Sequence, residues 1–229
     1  LFEINPIIKR PFLVKDDILP DEAAVSGARS LIRAGGDLKD IDAYNYDLVN
    51  LFRQVFGQYA GHILHEITLN YQEKNINQFD TSVTEFLALS LKLEELMGTR
   101  EEFLFGKWIG DSRKHASNSK EAELYEWNAR AIITTWGGRI LYGYAIKDWS
   151  GLYSSYYLPR WKKLFGEMRA ELTGDKKLDY EKFTKEIMDW EDNWITLREE
   201  KILSVPTGNS VALAKEMWDQ YGEKLLDYK

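Results

Sequence analysis

Cysteine is absent from the 229 residues, so no disulfide, thiolate nucleophile or Cys-based metal site can form. Histidine is scarce, with His62, His65 and His115 as the whole supply, which leaves little material for an imidazole metal centre. No apolar run approaches the roughly 18 residues that a membrane span needs. The opening "LFEINPIIKRP" has no basic region followed by an apolar core, so no signal peptide is visible there. It also has no initiator Met, which fits a processed chain or a piece of something longer. Positive charge is not in surplus: 30 Lys and Arg are scattered among 37 Asp and Glu, for a net charge of −7. Nucleic-acid binders concentrate Lys and Arg, so this balance argues against a polyanionic partner, and no nucleic acid is expected. G-x-S-x-G, a phosphate loop and a dinucleotide fingerprint are all missing. Neither a repeat period nor a low-complexity linker divides the chain.

Proline is sparse as well, and its placement supplies a map. Pro6, Pro11 and Pro20 crowd the first twenty residues, Pro159 stands alone, and Pro206 lies near the end. Between Pro20 and Pro159 nothing forbids helix, and the apolar spacing there is helical. Leu48, Leu51, Phe52, Val55, Tyr59 and Ile63 step by three and four along one face of a long helix. Val83, Phe86, Leu87, Leu91 and Met97 repeat the pattern in the next segment. "TREE", with Thr99 and Glu102, reads as a capping box opening the helix of "FLFGKWIGDSR". Ser119 precedes an acidic first turn, and Asp179 and Asn209 or Ser210 open two further helices. "RAGG" and "MGTR" read as glycine-bearing stops, Gly137 and Gly138 as a junction, and Pro159 as a kink or restart. No strand alternation is found. The pattern predicts an extended lead-in over 1–20 and a single all-α domain over 21–229, an irregular fold of about eight helices.

Candidate chemistry is thin. "GHILHE" sets His62 and His65 three apart with Glu66 beside them, but zinc-protease spacing is H-E-x-x-H, and two nitrogens fit a partly buried helix face. No metal site and no cofactor are expected. Asp111 and His115 read as a surface pair. Glu94, Glu95, Glu101, Glu102, Glu199 and Glu200 lie in charge-rich helical stretches, where solvated faces are the default. A glycosidase needs two carboxyls facing one bond, and no pair is identified by the sequence. No residue of the chain is therefore assigned as catalytic.

What the sequence has in plenty is aromatic surface. Residues 133–161, "ITTWGGRILYGYAIKDWSGLYSSYYLPRW", gather Trp136, Trp149, Trp161, Tyr142, Tyr144, Tyr153, Tyr156 and Tyr157. Trp127, Ile133, Trp149 and Trp161 are expected in the core. Trp136 falls at a helix end beside two glycines, where an indole can project into open space. Pyranose rings offer C–H faces that stack on indole and phenol, while NH and OH edges bond their hydroxyls. Such a patch suits a sugar site or a self-sufficient helical module that binds a protein.

"YEWNARAIITTWGG", "YGYAIKDWSGL" and "YYLPRW", in this order, resemble the C-terminal region of the α-N-acetylglucosaminidases of glycoside hydrolase family 89. "NPIIKRPFL", "YNYDLVNLFRQ", "FLFGKWIGDSR" and "GNSVALAKEMWDQY" extend the resemblance over nearly the whole chain. The resemblance implies removal of terminal α-linked N-acetylglucosamine with retention of configuration. It implies two catalytic glutamates in a (β/α)8 barrel N-terminal to this region, absent from this chain, with the helical domain packing on that barrel and closing one side of the sugar pocket. A secreted, periplasmic or lysosomal setting would follow. The family's pocket Trp, in T-x-W-G, falls on Trp136, its pocket Tyr on Tyr144, and an aliphatic wall residue on Leu141. This chain departs from the family pattern at Gly143, where Asp is frequent, and at Gly138, where Pro is common. Trp149, Tyr156, Tyr157, Arg160 and Trp161 are read as structural, fixing the helix behind the pocket.

Overall fold

A computed structural model of the chain describes residues 20–136, 145–198 and 202–227. Among them are eight α-helices and no strand beyond an isolated bridge between Leu104 and Ser150, as the spacing predicts. The lead-in up to residue 19 and the Gly137–Gly138 junction lie outside the described residues, as do Glu199 and Glu200. The helices cluster into two units, one drawn from residues 20–100 and 206–227, the other from the described residues of 101–205.

In the first unit, α1 (Glu22–Leu38), α2 (Asp42–Gln72), α3 (Ile76–Met97) and α8 (Ser210–Asp227) pack around α2. The predicted α2 stripe is the core: Leu48, Phe52, Val55, Tyr59 and Ile63 are buried, with Leu51 at its margin. In α3 the predicted Phe86 and Met97 are buried, but the buried face is otherwise rotated from the predicted one. Phe79, Phe86, Leu89, Leu93 and Leu96 are buried, whereas Leu91 is 45% exposed. Ser82 and Ser90 lie on that buried face, and the Ser90 hydroxyl satisfies itself on the Phe86 carbonyl. Two small polar residues thus occupied positions that an apolar count skips.

The expected stop at "RAGG" is corrected, because α1 runs through both glycines to Leu38. A methyl on Gly35 would lie 2.8 Å from Val211 Cγ1 and 3.1 Å from the Tyr44 hydroxyl. The glycine is there so that α8 and α2 can approach. Thr99 is corrected too. Its hydroxyl donates to the Leu96 carbonyl and stands 2.7 Å from that of Ser210. It ties the end of α3 to the start of α8, and α4 opens without a side-chain cap. Gly98 does end α3, and Asn209 caps α8 through Ala212 N–H at 2.9 Å.

The second unit holds a 3-10 turn (Glu101–Phe103), α4 (Phe105–Lys114), α5 (Ser119–Ile132), a π turn (Tyr153–Tyr157), α6 (Leu158–Leu172) and α7 (Tyr180–Trp194). Asn118 rather than Ser119 caps α5, accepting from Glu121 N–H at 3.0 Å, while the Ser117 amide donates to the Glu121 carboxylate at 2.6 Å. Both neighbours are competent caps, so the one-residue shift costs nothing. Asp179 caps α7 as expected. Pro159 sits in the first turn of α6, where its missing N–H is no loss, so it restarts the helix after the π turn.

Candidate functional site

The site is built on the C-terminal end of α5. Two residues of that helix, Glu126 and Arg130, are among the least exposed of the chain, at 0% and 1%. They form an i, i+4 ion pair with Arg130 Nη2 2.8 Å from Glu126 Oε1. The other carboxylate oxygen accepts from Arg113 Nε of α4 at 2.7 Å, and Arg198 comes within 3.9 Å of it. The Arg130 guanidinium lies 4.9 Å from the ring centre of Trp194 and 5.3 Å from that of Phe105. Cation–π contact of this kind is strongest where water is excluded.

Trp194 carries the network onward. Its ring centre is 4.7 Å from that of Tyr156 and 5.7 Å from that of Phe105. The Tyr156 hydroxyl donates to Glu191 at 2.9 Å, and Arg160 Nε pairs with the same oxygen at 2.8 Å. Burial pushes the Tyr157 phenol up, and its hydroxyl donates to the Lys147 carbonyl at 2.9 Å. Tyr156, Tyr157, Arg160 and Trp161 are all buried, in agreement with a structural part. Trp127 and Trp149 are not core, unlike Ile133 and Trp161; both are partly exposed. Trp149 lies in a non-helical stretch beside Trp108, 5.8 Å between rings, with the Lys147 ammonium 5.9 Å away.

Past Ile132, α5 gives way to a turn over residues 133–136. The Thr134 hydroxyl donates to the Arg130 carbonyl at 2.6 Å, and its amide to the Ala131 carbonyl at 3.2 Å. The Trp136 amide reaches back to that same Ala131 oxygen at 2.6 Å. Its φ is +47°, in the left-handed region that a bulky side chain rarely enters. The indole is partly exposed, in contrast to buried Trp161 and Trp194. Strain of this kind costs on the order of 1–3 kcal/mol and gathers at functional sites. Leu141 and Tyr144, the other two expected pocket residues, lie outside the described residues.

Because glycine enters this region freely, Trp136→Gly is expected to be more stable than Trp136→Ala by about 1 kcal/mol. Thermal melts of the two variants, expected to differ by roughly 2–4 °C, check it. Equal midpoints would show that the turn relaxes once the indole is gone.

Proton-transfer chemistry is not what the arrangement offers. Glu126 and Glu191, which the sequence did not single out, are both fully buried and engaged by guanidinium groups. Their only sequence signal was the i, i+4 spacing of Glu126 and Arg130, ordinarily a surface pattern. Glu94 is buried rather than solvated, on the face of α3 that packs, whereas Glu95, Glu101 and Glu102 are exposed. Asp111 pairs with Lys107 at 2.9 Å and Lys114 at 2.7 Å rather than with His115. Hydrogen bonds from these two lysines lower its carboxyl to about 2. Lysine at i−4 and i+3 reaches it with a flexible stem, which histidine does not match. In the first unit, His62 is buried, 3.6 Å from Glu66 and stacked beside Tyr59. No group of three or more metal-ligating side chains occurs among the described residues.

Residues 8–220 match the family described as the alpha-N-acetylglucosaminidase (NAGLU) C-terminal domain. The alpha-N-acetylglucosaminidase of Homo sapiens is 29% identical over 223 residues, an overlap covering 95% of this chain and 30% of that protein. A family 89 glycoside hydrolase from Clostridium perfringens, solved with two Glu-to-Gln changes and its substrate GlcNAc-alpha-1,4-galactose, is similar in structure. Its TM-score is 0.77 at 28% identity, over 88% of this chain and 24% of that one. The complex of a family 89 hydrolase of the same organism with PUGNAc gives 0.79 at 27% identity, over 96% and 25%. The chain spans about a third or less of the length of these relatives.

Proposed function

The chain belongs to the family of alpha-N-acetylglucosaminidase C-terminal domains, and on that premise we propose that it closes one side of the sugar pocket of a retaining exo-α-N-acetylglucosaminidase. The chemistry is done elsewhere in the parent polypeptide, by two glutamates of a catalytic barrel on which this domain packs. Residues 21–229 serve as one functional domain after the lead-in, a reading supported by a family match that runs through both units. The substrate is a glycan ending in α-linked N-acetylglucosamine. The observation that carries the reading is Trp136: a partly exposed indole at positive φ just past the end of α5, within the sequence Thr134-Thr135-Trp136. A partly exposed indole can offer its flat face to the C–H side of a pyranose. Tyr144 and Leu141 complete the wall. A stand-alone protein-binding module is the weaker reading, since the relatives are three or more times longer than this stretch.

Retaining hydrolysis needs two carboxyls roughly 5–5.5 Å apart across one bond. The isolated chain is therefore expected to give no turnover of an aryl α-N-acetylglucosaminide, whereas the full-length parent releases the sugar with its configuration retained. Turnover by the chain alone, abolished by a single Glu→Gln change within it, would overturn this division of labour.

A further inference from the structure

The pocket reading uses the indole of Trp136 but leaves unexplained the first residue of its motif, Thr134. That side chain is 3% exposed, so it meets no sugar. Both of its hydrogen bonds run back into α5, the hydroxyl to Arg130 O at 2.6 Å and the amide to Ala131 O at 3.2 Å. These are carbonyls of the last helical turn, the groups a helix end otherwise leaves without partners. The Ala131 oxygen also takes the Trp136 amide. The anchor itself is fixed. Arg130 is held by Glu126 and covered by Trp194 and Phe105, so the carbonyls at 130 and 131 belong to one of the most buried turns of the second unit. A non-glycine residue persists at positive φ only when its surroundings over-determine it. Thr134 and the Trp136 amide, converging on two adjacent carbonyls, are part of that over-determination.

We propose that Thr134 is a positioning residue for the reaction: it holds Trp136 in its left-handed conformation, and with it the angle at which the indole meets the sugar. The proposal rests on the pocket reading of Trp136. What is required of residue 134 is a hydroxyl on Cβ, which serine supplies and valine does not.

The test uses the full-length parent enzyme with an aryl α-N-acetylglucosaminide, together with hydrogen exchange at the Trp136 amide. Thr134→Val is expected to speed that exchange about tenfold or more, since the turn opens locally while the helices beneath stay protected. It is expected to lower kcat/KM by roughly tenfold, through weaker placement of the sugar rather than lost acid–base chemistry. Thr134→Ser should stay within about threefold of wild type in both measurements. The decisive comparison is the double variant: added to Trp136→Ala, Thr134→Val should cost nothing further, because there is no indole left to place. An equal loss in both backgrounds marks a merely structural residue and overturns the proposal. Unchanged exchange in Thr134→Val overturns it as well, whatever the kinetics. If exchange responds but Trp136→Ala keeps wild-type kcat/KM, the pocket reading has failed and the proposal falls with it, by a recognisably different route. Should Thr134→Val not accumulate as folded enzyme, Thr134→Ala removes the same hydroxyl without adding a branch and is read by the same criteria.

Discussion

Glu126→Ala is expected to cost about 3–5 kcal/mol of stability, because it takes a carboxylate partner away from a buried guanidinium. Arg130 is 1% exposed, and the Glu126 carboxylate pairs with its guanidinium at 2.8 Å. Arg113 would lose its 2.7 Å bond at the same time, although its partial exposure lets water compensate. The aromatic contacts to Trp194 and Phe105 soften the loss but do not replace an ion pair. For a chain of this size the thermal midpoint should fall by roughly 6–20 °C. The control is a double change. Glu126→Leu with Arg130→Met removes both charges and keeps the volume, and it should recover most of the loss, since a buried pair and a well-packed apolar replacement are often near parity. A Glu126→Ala midpoint within about 2 °C of wild type would place Glu126 in a wetter setting than its burial implies.

That pair also marks the limit of what the sequence makes legible. Local signals were readable: the step of three and four along α2, the carboxylate of Asp179 and the amide of Asn209 need only their own neighbours to act. Tertiary signals were not. Thr99 had the spacing of a capping box, yet its hydroxyl was taken by Ser210, 111 residues away. Gly35 had the look of a helix stop, because glycine weakens a helix; the reason for it is the approach of Val211 and Tyr44. Glu126 and Glu191 were indistinguishable from solvated carboxylates until Arg113 and Arg160 were folded against them. The site divides the same way. Trp136 was singled out by motif, but its positive φ is a backbone feature that no spacing rule encodes.

Trp136→Ala in the full-length parent is expected to lower kcat/KM by roughly ten- to a thousandfold, or about 1.4–4 kcal/mol of transition-state stabilisation. The range follows from what an indole can and cannot do. On the proposed reading the catalytic protons move between carboxyls outside this chain, so losing the indole removes only stacking and orientation. Tyr144→Phe should be milder if the ring does the stacking, and nearly as severe if the hydroxyl anchors the sugar. The backbone supplies an internal control that few pocket residues allow. Alanine and glycine at position 136 differ in stability, because only glycine enters φ near +47° freely, yet both lack the ring. Activity should therefore fall to the same level in both variants while their melting points separate. If catalysis instead followed stability, glycine outperforming alanine, the turn's integrity rather than the indole would be the active ingredient. Wild-type kcat/KM in a folded Trp136→Ala enzyme would take the residue out of the pocket altogether.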